Sequence, residues 1–260
     1  STGSGAGNID FQGTVDGTYN LTLTAGTGNI TFEDKVGETN RLANLVINSA
    51  TKTDFNDSVK IASATLTGGI FNLNNTWNST TSTAFTNSGL ITVNQNSDIT
   101  TGTTFSTTGD ISLDSNITTT NSNLTIGGNL NLLADTVTIS TGTGIGNISL
   151  NSATGNNKNL KLISGQGTIT SSGAVSGIDT LSIQEGITTT PGSVVFNGNL
   201  SVNTLTTQAS AYDISLYGTN TTIQNATTFN NTGNLNLGNG SDTINFVNGL
   251  NTDSPTLVNI

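Results

Sequence analysis

The sequence contains no cysteine, no methionine and no histidine, has only two prolines, and carries charge on just 8% of its 260 residues. Without cysteine it cannot be a disulfide scaffold and cannot use thiolate chemistry. Without histidine, acid–base work would fall to carboxylates, five lysines and one arginine. Proline scarcity suits a chain whose backbone amides are spent on strand neighbours; Pro191 and Pro255 both stand in turn-like contexts, Thr190-Pro191-Gly192 and Ser254-Pro255. No apolar run approaches the roughly 18 residues of a spanning helix, so no membrane insertion is expected. Six basic against 16 acidic residues give a net charge of −10. That balance excludes the phosphate-neutralising surface of a nucleic-acid binder and the polybasic patch of a membrane-surface binder. Ser1 opens directly into Gly/Ser/Thr sequence with no signal peptide, which reads as a mature form or an excised piece.

What fills the chain instead is Asn, Thr, Ser and Gly, interrupted by short apolar–polar–apolar triplets. Examples are Ile9-Asp10-Phe11, Leu21-Thr22-Leu23, Ile30-Thr31-Phe32, Ile111-Ser112-Leu113, Leu130-Asn131-Leu132 and Ile148-Ser149-Leu150. Alternation with period two puts both apolar members on one face, the mark of a short half-buried strand. Helical i, i+3, i+4 spacing is missing.

The triplets recur in register. A glycine, then Asn or Asp, then Ile or Leu, any residue, and an apolar residue occurs seven times, beginning at Gly7, Gly28, Gly109, Gly128, Gly146, Gly198 and Gly233. A longer motif, Phe followed by Gly at +4 and apolar residues at +6 and +8, begins at Phe85, Phe105 and Phe229. Such periodicity predicts an all-β, right-handed parallel β-helix (β-solenoid) of about 12–13 coils with roughly 20 residues per coil. The expected organisation is one domain over residues 1–260, a segment of a longer repeat protein or a stacking subunit. Gly-Asn and Gly-Asp pairs are expected at positive-φ corners, and Asn and Thr in hydrogen-bonded rows. Phe85 should lie beside Phe105, and Gly109 beside Gly128. Residues 33–44, 74–84, 151–159 and 206–212 break the rhythm and are expected to leave the solenoid as loops.

Candidate chemistry is sparse, and the expectation is a non-enzyme with no catalytic residues and no cofactor. Parallel β-helices can host glycan-cleaving sites, so Glu33, Asp54 and Asp57 are tested as an acidic cluster on adjacent coils. For metal the expectation is none, with Asp242 a weak calcium candidate: Gly238-Asn239-Gly240-Ser241-Asp242 is like one calcium-binding nonapeptide, a chemistry that needs tandem copies. Threonine pairs such as Thr22-Leu23-Thr24 and Thr65-Leu66-Thr67 are candidates for a flat ice-binding row. Trp77, Tyr19, Tyr212 and Tyr217 are candidates to stack on sugar rings. Uncapped coil ends, at Ile9 and at Leu257-Val258-Asn259-Ile260, lead to an expectation that flanking repeats or other copies of the protein stack there.

On its strand repeats and cysteine-free Asn/Thr/Gly composition, the chain resembles filamentous-haemagglutinin-like and autotransporter passenger surface proteins. The stretch from Gly7-Asn8-Ile9-Asp10-Phe11 to Gly28-Asn29-Ile30-Thr31-Phe32 carries the likeness most clearly, and the degenerate motif extends over essentially the whole chain. The resemblance implies export through an outer-membrane barrel and a cell-surface location on a Gram-negative bacterium. It also implies a structural or adhesive role whose partners are glycans or proteins of host or neighbouring cells. An Asn-Pro-Asn motif, carried by the secretion domain of two-partner systems, is missing, so an internal stretch, or a relative that has taken another role, is implied. Two alternatives stand beside that role: a subunit of an extracellular filament or sheath, and a carbohydrate-active β-helix.

Overall fold

A computed structural model describes residues 1–187 and 192–260, so the turn expected at Pro191 lies outside the described residues. All described secondary structure is extended, with no helix, and parallel strands stack as a β-solenoid of about 12 turns, each about 21 residues long. The described residues group into two compact units, Ser1–Thr119 with Ile126–Gly128, and residues 120–125 with Asn129–Ile260.

In the first unit each turn contributes to three stacks of parallel strands. One stack holds Ile9–Phe11, Asn29–Phe32, Lys52–Phe55, Ile70–Leu73, Ile91–Val93 and Ile111–Leu113 in unbroken register. A second runs through single bridges at Val15 and Val36, then Val59, Trp77–Ser79, Ile99–Thr101 and Ile117–Thr119. The third joins Asn20–Thr24, Leu42–Ser49, the far half of Val59–Gly68, Thr83–Asn87 and Phe105–Thr107. The second unit repeats the scheme. There Ile148, Ile169, Val194, Ile214, Leu235 and Val258 form one inward row, and Val137, Leu160, Leu181 and Leu205 form another.

The core is the inward set of these rows. Parallel in-register pairing places like side chains on top of one another one strand spacing apart, so Phe11, Phe32 and Phe55 stack with centroids 4.8 and 4.9 Å apart and planes within 8°. Trp77 closes that column edge-on to Phe55 at 5.2 Å. Burying each such side chain stabilises the fold by about 1.5–3 kcal/mol.

Three expectations need correction. None of the seven motif glycines has positive φ. Instead each is pressed against the preceding turn or segment: a Cβ there would lie between 2.1 Å (Gly198) and 2.7 Å (Gly7) from its nearest neighbour atom. Gly28 faces the Gly7 carbonyl at 2.2 Å and Gly128 faces Gly109 at 2.3 Å. Close backbone approach selects glycine, and the following Asn caps the next turn: Asn8 Oδ1 accepts the Asn29 amide, Asn147 Oδ1 that of Thr168, and Asn199 Oδ1 that of Asn220. Secondly, Phe85 pairs in register with Thr107, not Phe105, which faces Thr83. This turn is 22 residues long, and a slip of two keeps both rings inward, 6.1 Å apart. Thirdly, residues 74–84 and 151–159 do not leave the solenoid. Trp77–Ser79 is a core strand and 151–159 lies inside the strand Ile148–Ile163. Polar composition hid both, because only alternate residues face inward.

Candidate functional site

The inward rows are buried against one another, and the outward rows carry most of the polar side chains. The most developed set lies on the first stack of the first unit. Its central outward row is Asp10, Thr31, Asp54, Asn72, Thr92 and Ser112, fixed by the strand register. Just past the strand ends, each next residue donates its backbone amide to the turn before it: Glu33 to Phe11, Asn56 to Phe32, Asn74 to Phe55, Asn94 to Leu73 and Asp114 to Val93.

That placement brings side chains into a ladder. Asn94 Nδ2 donates to Asn74 Oδ1 at 2.5 Å, Asn74 Nδ2 to Asn56 Oδ1 at 2.8 Å, and Asn56 Nδ2 to Glu33 Oε2 at 2.7 Å. Beside it Asn72 Nδ2 donates to Asp54 Oδ1 at 2.6 Å, Lys52 Nζ lies 2.8 Å from Asp54 Oδ2, and Asn75 Nδ2 donates to Asp57 Oδ1 at 3.2 Å. The sequence-derived acidic trio thus does stand on adjacent turns. Glu33, Asp54 and Asp57 each accept from an amide of the following turn.

A second cluster lies in the expected loop 33–44, which only partly leaves the solenoid: Val36 is a buried bridge of the second stack and residues 42–44 begin the strand Leu42–Ser49. Asp34 accepts from the Thr14 hydroxyl and the Lys35 amide; the amide, followed by the hydroxyl, holds its carboxyl below the usual range. Glu38 is shared by Lys60 at 2.7 Å and Lys35 at 3.5 Å, and chiefly the Lys60 hydrogen bond lowers its pKa. Asp16 Oδ1 accepts from the amides of Thr39 and Asn40. Arg41 reaches over two later turns to the carbonyls of Ile61 and Asn78. Thr14–Asp34, Asp16 with Thr39 and Asn40, Glu38–Lys60 and the Arg41 contacts each join different turns, so the cluster acts as a staple.

The second unit carries shorter ladders, Asn259 to Asn236 to Ser215 and Asn203 to Asp179. Asp135 pairs with Lys158 at 2.6 Å, a hydrogen bond that lowers its pKa. Asp242 closes a bend by accepting the Asn239 amide at 2.7 Å. Among the described residues no group of three acidic, His or Cys side chains is arranged to hold a metal ion. A cavity of about 680 Å³ opens beneath the final turn, lined by Tyr217, Asp242, Ile244, Phe246 and Leu250 among others.

The aromatic candidates divide. Trp77 is buried, its Nε1 donating to Thr83 Oγ1 at 2.9 Å, and Tyr212 is buried, its hydroxyl accepting the Gln208 amide and its pKa raised by burial. Neither can stack on a sugar. Tyr19 is 80% exposed and Tyr217 half-buried. The threonine row is interrupted, because Val46 and Ala84 fall in register with Thr22 and Thr65. Sequence reasoning anticipated hydrogen-bonded Asn rows but did not locate the amide ladder. Its one available signal was the pair of residues after each inward apolar position, Glu33-Asp34, Asn56-Asp57 and Asn74-Asn75. No helix among the described residues is long and apolar enough to cross a membrane. Comparison with family models, curated proteins and solved structures returned no match.

Proposed function

We propose that this chain is a non-enzymatic structural and adhesive surface module, a β-solenoid segment of the filamentous-haemagglutinin-like kind displayed outside a Gram-negative cell. The observation carrying this reading is the ladder from Asn94 through Asn74 and Asn56 to Glu33. The amides and carboxylates of this ladder are bonded to one another, turn to turn. Carboxylates tied in this way hold neighbouring turns in register, and none converges with a second titratable group around an enclosed cleft, as acid–base chemistry requires. The repeating outward amides and hydroxyls suit broad contact with glycans or proteins of a facing cell, while flanking repeats or further copies continue the stack.

Display of the chain on a non-adherent bacterial host, scored for attachment to cultured cells and to immobilised polysaccharides, tests the proposal. Attachment above the empty display scaffold, without release of reducing sugar, is the expected result. Turnover of any polysaccharide that Asp54→Ala or Glu33→Ala abolishes would replace the reading with a carbohydrate-active β-helix. Concentration-dependent fibres of the purified chain would favour the filament subunit.

A further inference from the structure

The sequence contains three Asn-Gly dipeptides, Asn197-Gly198, Asn239-Gly240 and Asn248-Gly249. All three share one latent reaction. The backbone nitrogen following the Asn, once it loses its proton, attacks the side-chain carbonyl carbon Cγ. A new C–N bond closes a succinimide ring as the Cγ–Nδ2 bond breaks and ammonia leaves. Water then adds to either ring carbonyl and opens the ring to Asp or to isoaspartate. Water is the only co-reactant, and the chain supplies both nucleophile and electrophile.

The fold treats the three sites differently. At Asn248-Gly249 both reacting groups are engaged: the Gly249 amide donates to the Phe246 carbonyl at 3.3 Å and Asn248 Nδ2 donates to the Gln224 carbonyl at 2.7 Å. At Asn197-Gly198 the backbone is clamped. The Asn197 amide donates to Ser171 at 2.9 Å, and Gly198 lies so flush on Gly173 that a Cβ would sit 2.1 Å from its carbonyl carbon. Rotation into the attack geometry would lift a whole corner off the preceding turn.

Asn239-Gly240 has neither restraint. Both residues are exposed, Gly240 has no atom within 4 Å of an ideal Cβ, and among the described residues neither the Gly240 amide nor the Asn239 side chain has a hydrogen bond. The bend is tied to the preceding turn only at its two ends, where the Gly238 amide donates to Leu216 and the Thr243 amide to Thr219, and inside it the Asn239 amide donates to Asp242 Oδ2 at 2.7 Å, a bond that leaves both reacting groups free. We infer that Asn239 is a self-modifying site, converted through the succinimide to Asp or isoaspartate well ahead of the other two Asn-Gly pairs.

Conversion places a new carboxylate in the bend closed by Asp242. The isoaspartate product also reroutes the main chain through the side-chain carbon, three residues from the Asn239–Asp242 hydrogen bond's far end. The bend leading into Thr243–Phe246 loosens as a result.

The test is incubation of the purified chain at mildly alkaline pH, followed by proteolysis and mass spectrometry of the three peptides, with isoaspartate distinguished by fragmentation. Asn239 should convert at least about tenfold faster than Asn197 or Asn248, the ratio that corresponds to roughly 1.4 kcal/mol of restraint at the slower sites. In the urea-unfolded chain the three rates should draw together. Gly240→Ala, which fits the open space, should slow conversion at 239 while leaving the far-ultraviolet dichroism unchanged. Equal or faster conversion of Asn197 or Asn248 in the folded chain would overturn the inference, as would a ranking that persists in urea.

Discussion

The two units build the same three-stranded turn from different chemistry. Residues 1–119 hold six of the nine phenylalanines and the tryptophan, with ten acidic and four basic residues; residues 120–260 hold three phenylalanines, with six acidic and two basic residues. The first unit is therefore aromatic inside and charged outside, while the second is mainly aliphatic inside and mainly neutral outside. Stacked rings and stacked Ile, Leu and Val rows satisfy the same geometry, because parallel register needs only an apolar side chain at each inward position. What the units share without exception is the crowded glycine at the motif start. Parallel register, more than side-chain identity or turn length, is the invariant, since turns run from 18 residues (Thr53 to Phe71) to 25 (Ile169 to Val194).

That contrast can be broken hardest at the shared feature. A charge in either bore, Ile111→Asp in the first unit or Leu160→Asp in the second, buries an unpaired carboxylate and should abolish folding, read as loss of the β dichroism signal. Retained dichroism and melting would undo the inward assignment of those rows. Next in size, Gly167→Ala forces a Cβ to within 2.0 Å of the Gly146 carbonyl oxygen and should cost about 2–3 kcal/mol in urea denaturation. Gly240→Ala, with open space around it, serves as the neutral counterpart.

Smaller and opposite in sign is the effect expected at Thr53 and Thr221, one in each unit. Both are inward residues whose buried hydroxyls lack a partner among the described residues. Thr53→Val and Thr221→Val should each raise stability by about 1 kcal/mol. A loss instead would mean that the hydroxyl is satisfied by water. The smallest effect is at the surface carboxylates, two with lowered pKa in the first unit and one, Asp135, in the second. Asp34 and Glu38 in the first unit have lowered pKa values, so their contribution is present above the unfolded carboxylate range and lost as pH falls through the folded one. Melting temperature should drop modestly across that acid range, less so in Glu38→Gln and less at high salt, since these pairs are exposed.

The sequence carried the fold well because two-residue alternation and glycine spacing are both local signals. Leu235-Asn236-Leu237 reads as a half-buried strand and is one, while Ile111-Ser112-Leu113 is a strand buried at all three residues. Less legible was anything set by the neighbouring turn. The role of Gly28 depends on Gly7, the capping by Asn8 depends on where Asn29 falls, and the Phe85 register depends on a turn of 22 residues where its neighbours suggested 20. Trp77 was hidden for a related reason, since Thr-Trp-Asn-Ser supplies a single large apolar residue and its hydrogen-bond partner Thr83, which donates on to Ser79, is itself polar. The acidic trio was placed on adjacent turns correctly, whereas the amides that occupy it came from a turn further on.

The amide ladder has one more property, which is an arrow. From Asn94 to Glu33 every side chain donates toward the lower-numbered turn, and Asn72, Asn75, Asn203, Asn236 and Asn259 do the same. Amide dipoles aligned in this way add along the stack, as peptide dipoles do along a helix. Within each unit the outer surface is thus a polarised track, and a polymer laid along it in reverse would meet donors where it had met acceptors.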